Sequence, residues 1–337
     1  METGVNTKKI GSTLDIKSWT NKELGYSALG DWFGFNTTHF SLAINKDNLY
    51  IIGGKSRDES EYLPTVDVKK VRLIDGGKLG EPVITDTPLP KPLFYADTID
   101  TSTHIYLLGG DTGSETSDDI YMNNKKEDGN LSDWYKAGKL PYPVSDFKAI
   151  QIDKFIYIIG GFNGSDSINK VTRCTIGDGS DEDYKLCNFE DCKPLPIPMS
   201  DCKVLVLANK LYVLGGYQGS DFTALDTVYS AIINNDFSLG EWVIDKPLPE
   251  KLFGSSLVAY ANRIFLLGGN NGNKAIYETY IAPVDNEGII GEWVKGSSLS
   301  EPCSNIAAII TSLNVYLIGG SVNYTFSPFD GFSLTEL

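Results

Sequence analysis

The sequence predicts an all-β fold, a six-bladed β-propeller of four-stranded antiparallel blades. Three observations predict it. An apolar run closed by two glycines occurs six times: Leu49-Tyr50-Ile51-Ile52-Gly53-Gly54, Ile105-Tyr106-Leu107-Leu108-Gly109-Gly110, Ile156-Tyr157-Ile158-Ile159-Gly160-Gly161, Leu211-Tyr212-Val213-Leu214-Gly215-Gly216, Ile264-Phe265-Leu266-Leu267-Gly268-Gly269 and Val315-Tyr316-Leu317-Ile318-Gly319-Gly320. The first glycines of successive pairs lie 56, 51, 55, 53 and 51 residues apart, the period of an array whose unit is one small sheet. A leucine (Leu89, Leu140, Leu195, Leu248, Leu299) stands 20 residues ahead of the first glycine in each of the last five copies. The whole unit is therefore repeated, not only its hexapeptide.

Taken in order, residues 1–13 are a polar lead-in and residues 14–337 form one domain. The first element is a short strand around Trp19. Trp134, Trp242 and Trp293 occupy the same place in later repeats, with Pro82 and Phe189 as substitutes. These are outer strands that carry a large ring into the space between neighbouring sheets. A connection follows at Leu89-Pro90, Leu140-Pro141, Leu195-Pro196 and Leu248-Pro249, degenerate at Leu299-Ser300. Next comes an inner strand such as Ala149-Ile150-Gln151-Ile152, then a tight turn such as Ala208-Asn209-Lys210. The hexapeptide strand ends on glycines where the backbone needs a positive φ or a close neighbour. A variable polar loop and a third strand, for example Val228-Tyr229-Ser230-Ala231-Ile232, complete the unit. Such a sheet has two apolar faces, and six units arranged radially bury each face against the next. The last repeat runs out of chain between Phe326 and Leu337 with an inner pair and a third strand but no tryptophan strand. The Trp19 strand is expected to join that last blade and close the ring.

Charge and composition narrow the partners. Asp and Glu outnumber Lys and Arg by 44 to 29, a net charge of -15. A field of that sign repels phosphate backbones and anionic lipid, so no nucleic acid and no membrane insertion are expected. No apolar run reaches the length of a membrane span. Met1 to Thr20 lacks the apolar centre of a secretion signal, so synthesis in the cytosol, or a leader already removed, is expected. The five cysteines (Cys174, Cys187, Cys192, Cys202, Cys303) have no framework spacing. They read as thiols, with one pair such as Cys174 and Cys187 left open. With two histidines and no paired Cys-x2-Cys, neither a metal nor another cofactor is expected. The acidic run Asp178-Gly179-Ser180-Asp181-Glu182-Asp183 lacks the alternation of a calcium loop and reads as solvated surface.

The six Gly-Gly strands, the tyrosine one strand later (Tyr121, Tyr229) and the outer tryptophan resemble the kelch-repeat family from about residue 14 to 337. The Leu-Gly-Glu-Trp and Leu-Pro elements look similar to repeats of bacterial and phage surface proteins. The resemblance implies a propeller that binds partners through loops on one face, those after the glycines together with those approaching the inner strand. The favoured function is non-enzymatic recognition of a protein or glycan, with incorporation into a virion or surface assembly. Two alternatives stay open: a sugar-converting enzyme resembling the sialate mutarotases, and an intracellular kelch scaffold. A copper site like that of galactose oxidase would need a histidine and tyrosine set that is not recognisable here.

Two groups of candidate binding residues follow. The loops supply aromatic side chains suited to a sugar ring or a protein hot spot: Trp32, Phe33, Phe94, Tyr95, Tyr142, Tyr217 and Phe253. Alignment on Leu-Pro gives a ring at the mouth of a central channel: His39, Tyr95, Asp146, Asp201, Gly254 and Asn305. Polar types follow one another there between apolar flanks. Asp146 and Asp201 invite acid-base chemistry, yet no Lys or Arg is expected at their level to assist it. An enzyme predicts a cation converging with that pair, whereas a binding module predicts scattered polar and aromatic loops. No catalytic residue is assigned.

Overall fold

The computed structural model describes residues 37–58, 61–74, 78–177, 185–260, 262–299, 302–311, 314–322, 327–328 and 335–336. The strand expected around Trp19, the candidates Trp32 and Phe33, and the acidic run at 178–183 lie outside the described residues. Among the described residues every regular element is a strand, and no helix is long and apolar enough to cross a membrane.

The repeat appears as an antiparallel meander. The second sheet runs Asp97–Asp100, His104–Leu108, Asp119–Asn124 and Tyr135–Lys139 in sequence order, each strand bonded to the next. The third sheet (Lys148–Ile152, Phe155–Ile159, Val171–Ile176, Leu186–Asp191) repeats this, as do the fourth and fifth. In the first sheet Val83–Ile84 is the outer strand beside Val68–Ile74. In the sixth, Thr335–Glu336 pairs with Asn314–Ile318. The outer strands begin one residue after the tryptophans, at Tyr135, Val243 and Val294. Each tryptophan is thus on the approach to its strand rather than within it. The Trp134 ring is buried in the core between the first and second sheets. Most described outer strands have two residues and expose apolar side chains, Ile244 being 73% exposed. Short edges of this kind offer little template for pairing with another chain.

Among the described residues, six apolar cores lie between successive sheets. Alternation along each hexapeptide makes this arrangement unavoidable, because neighbouring side chains point to opposite faces. Tyr50 and Ile52 face the second sheet, packing near Ile105 and Leu107. Leu49 and Ile51 face the other way, and their core includes Ile318 and Ile309 of the sixth sheet. The sixth sheet therefore packs on the first. The all-β propeller expected from the repeat is the fold observed.

The glycine pair joins one sheet to the next. Gly215 and Gly216 have φ of +59° and +94°. The Gly216 N–H donates to the Leu252 carbonyl of the following repeat at 2.8 Å. The same bond recurs from Gly54 to Leu93, Gly110 to Val144, Gly161 to Met199 and Gly269 to Cys303. The conserved-spacing leucine packs beside the first glycine. Leu248 Cδ1 would be 3.0 Å from a Cβ placed on Gly215.

A second joint uses the hexapeptide tyrosine. Tyr50, Tyr157 and Tyr212 are fully buried, and each hydroxyl donates to a carbonyl in the outer hairpin of the next sheet. For Tyr212 the acceptor is Gly288 at 2.8 Å. Phe265 stands at the equivalent place in the fifth repeat, so the ring fits without its hydroxyl. Tyr212→Phe is expected to lower stability by about 1–2 kcal/mol, the cost of leaving a buried acceptor without its donor. Urea denaturation of the two proteins checks it; an unchanged midpoint would remove the joint's energetic role.

Candidate functional site

The inner strands of all six sheets line one cavity of about 370 Å³. Loops surround its mouth. In five repeats the residue after the glycine pair is bridged to the approach loop of an inner strand: Lys55 with Thr38, Asp111 with Phe94, Phe162 with Ser145, Tyr217 with Ser200 and Asn270 with Phe253. The two loop sets therefore share the face on which the cavity opens.

The ring drawn from the alignment forms that mouth. His39, Tyr95, Asp146, Asp201 and Asn305 all line the cavity. Their φ values are +55°, +53°, +53°, +47° and +54°, and Gly254 has +62°. This backbone turns each N–H around the ring. Tyr95 donates to His39 at 3.1 Å, Asp146 to Tyr95 and Asp201 to Asp146 at 2.8 Å, and Asn305 to Gly254 at 2.7 Å. Asn, Asp and Gly tolerate the left-handed region, which explains the run of polar types at this position before any ligand is considered. Tyr95 has no such excuse and carries roughly 1 kcal/mol of strain.

Two residues further along three of the strands is a tier that the sequence reasoning missed. Lys203 Nζ is 2.5 Å from Asp201 Oδ1, and Lys148 Nζ is 3.2 Å from Asp97 Oδ1. Lysines thus line the same cavity as the two carboxylates, contrary to the expectation that no cation lies at their level. The signal was present in Asp146-x-Lys148 and Asp201-x-Lys203. Entering a strand, alternate residues return to one side. Asp97 also accepts the Ala149 N–H at 2.8 Å, satisfying a backbone donor on the inner edge of the next sheet.

Asp146 differs from its neighbours. It accepts the Tyr217 hydroxyl at 2.7 Å. Burial, and then the Asp201 carboxylate, raise it to about 7, against the opposing influence of Tyr217, Lys203 and Lys148. Tyr217 and Tyr95 are pushed well above the usual phenol range by burial and by Asp146. Burial, then Lys55, lower His39 to about 3, so its imidazole is neutral. That ring contacts Thr38 Oγ1 through Nδ1 at 2.7 Å and meets the Tyr95 ring edge-on at 4.3 Å.

The loop aromatics divide. Phe94, Tyr217 and Phe253 are buried. Tyr217 and Phe253 pack with Phe222, at 4.8 Å and 6.5 Å from the Phe222 ring respectively, and Phe222 is 45% exposed. Phe222 was not singled out in the sequence, since a lone phenylalanine in a polar loop carries no pattern. Tyr142 packs instead on the core between the second and third sheets and bonds Thr172. It does not line the cavity. Cys192 and Cys202 are thiols, and burial pushes them up to about 11 and about 12. Among the described residues no group of His, Cys, Asp and Glu could hold a metal ion.

Repeated Gly-Gly strands, glycine-to-carbonyl joints and a loop-ringed mouth define a β-propeller. No family model matches the chain. It is 28% identical over 220 residues to the kelch repeat and BTB domain-containing protein 1 of camelpox virus, covering 64% of this chain and 36% of that protein. It is 27% identical over 246 residues to the kelch repeat and BTB domain-containing protein 12 of Danio rerio, covering 66% and 36%. It is also 27% identical over 193 residues to the spermatocyte protein spe-26 of Caenorhabditis elegans, covering 56% and 31%. The matched region is about a third of the length of each of these relatives. These likenesses, together with the repeat, support the kelch-repeat family for this chain.

Proposed function

We propose that the chain recognises a protein partner through the loops around the cavity mouth and performs no chemistry on it. The observation that carries this reading is the paired loop architecture of one face. The loops after the glycines and the approach loops are bonded together repeat by repeat and present polar side chains around a central opening. A rigid scaffold with variable loops is a usual place for recognition. The camelpox relative supports a viral setting. Phe222, partly exposed, and Tyr95, which lines the cavity, are the rings that support a glycan as the partner's recognised part.

The test is affinity capture from extracts of the source, with partners identified by mass spectrometry and a glycan array run beside it. A variant carrying Glu115→Lys, Ser165→Arg and Asn273→Arg alters three exposed loops of this face. It is expected to capture the partner at least tenfold less well than the native chain. Ile84→Ser with Ile244→Ser, on the outer rim, should leave capture unchanged. Loss on the rim variant alone would refute the loop-face reading.

A second reading has the cavity lysines behind it. Asp146, held protonated near neutrality, beside Asp201 and Lys203, is an arrangement suited to proton transfer on a sugar. NMR exchange between the anomers of free sugars, accelerated by the native chain and not by Asp146→Asn, would favour that enzyme.

A further inference from the structure

Among the described residues the buried carboxylates Asp119 and Asp201 are compensated by lysines, and the partly buried Asp146 is not. Asp119 is bound by Lys91 at 2.6 Å and by Lys136. Burial opposes its ionisation, but hydrogen bonds from those two ammonium groups hold it down to about 2. Asp201 has Lys203 and Asp97 has Lys148. Asp146, inside the cavity, has the Tyr217 hydroxyl and no ion pair among the described residues. Ionised, Asp146 would set three carboxylates against two ammonium groups in this part of the cavity. A buried carboxylate without a cation is a costly arrangement that a cationic ligand relieves.

The surroundings select the kind of cation. The hydroxyl on Asp146 belongs to Tyr217, whose ring lies against Phe222 and Phe253. Phe222 is partly exposed and has φ +55°, an unfavourable backbone for an aromatic residue that must be held by its surroundings. Its ring lies against that of Tyr217, whose hydroxyl reaches the carboxylate. The same mouth already holds one cation in this way. Lys55, in the place that Tyr217 takes in the fourth repeat, has its ammonium 3.9 Å from the centre of the Phe94 ring of the following repeat. An ammonium or guanidinium on an aliphatic stem fits both features, with its charge at Asp146 and its stem along the rings.

We infer that the cavity mouth receives a lysine or arginine side chain of the partner protein, with Asp146 as its counter-ion and Phe222 and Tyr217 packed on its stem. This rests on the recognition reading above and names the chemistry of its partner. The strongly acidic chain, at -15, draws a basic segment toward the disc from any direction.

The probes are the capped tripeptides Gly-Lys-Gly, Gly-Arg-Gly, Gly-norleucine-Gly and Gly-Glu-Gly, with free cadaverine, titrated by NMR into the full chain. The lysine and arginine peptides are expected to bind at least tenfold tighter than the norleucine and glutamate peptides. Asp146→Asn should weaken them at least tenfold and Phe222→Ser at least threefold, while Ile244→Ser changes nothing. Asparagine keeps an acceptor for Tyr217 and tolerates the backbone at this site, so loss of binding is not loss of fold. Equal binding of the norleucine peptide, or an Asp146→Asn protein that binds as the native one does, overturns the inference. Cadaverine binding tighter than the lysine peptide overturns a partner side chain as the occupant. Loop-dependent capture that survives Asp146→Asn also overturns it, and leaves the recognition reading standing.

Discussion

Replacing Gly215 with alanine is expected to destabilise the protein by about 3–5 kcal/mol, a large part of the stability of an ordinary domain. Three costs add. A residue with a Cβ at φ +59° carries about 1–2 kcal/mol of strain. The new Cβ would stand 2.6 Å from the Leu252 carbonyl oxygen, closer than such atoms approach, so the neighbouring repeat must move. Moving it weakens the bond from Gly216 to that same oxygen, worth about 1 kcal/mol. Gly240 supplies the comparison. It has no positive φ, and a Cβ there would have its nearest neighbour at 3.4 Å. Gly240→Ala should therefore change stability by less than about 1 kcal/mol. Urea denaturation midpoints of the two variants decide the matter; equal shifts would show that the glycine pair is not a joint between sheets.

Asp146→Asn is expected to stabilise the protein at alkaline pH and to do little in acid. Folded Asp146 keeps its proton to about 7, whereas an unfolded aspartate releases it near 3.8. Between those values the folded chain binds the extra proton. The stability from this group is fully present below about pH 4 and is lost as pH rises through 7. Asparagine never ionises, so the variant escapes the loss. The gap in unfolding free energy should grow from near zero at pH 4 to roughly 2–4 kcal/mol at pH 8. Thermal unfolding across that range measures it. A gap that is constant with pH, or largest in acid, would mean that burial and Asp201 do not hold the proton on Asp146. The same substitution is the one expected to weaken cation binding at least tenfold. A variant that is steadier and binds less is what a destabilised site kept for its ligand predicts.

Much of the architecture was legible in the chain. Leu49-Tyr50-Ile51-Ile52 reads as a strand covered on both faces because no residue in it tolerates water and its length suits one pleated segment. Six copies at one period leave a radial stack as the means of covering all of them. The ring position of His39, Tyr95, Asp146, Asp201, Gly254 and Asn305 was also legible, through its offset from Leu-Pro, although its first cause proved to be backbone conformation. Lys148 and Lys203 were written two residues beyond the ring, and their arrival in the cavity follows from alternation. What could not be read is whom each lysine meets. Lys148 pairs with Asp97 of the preceding repeat and Lys203 with Asp201 of its own, although both stand two residues after an aspartate.

By itself the sequence determined the unit: strand lengths, the order of strands in each meander, and where glycine must stand. Those are local matters, set by side-chain alternation and by steric limits on φ. The tertiary structure alone decided which charges compensate one another and which aromatic ring is left at the surface. Residues 51 or more positions apart become neighbours only when the sheets stand side by side. Burial then acts on a carboxylate according to what the adjacent sheet happens to offer it, and to Asp146 that sheet offers a hydroxyl in place of a cation.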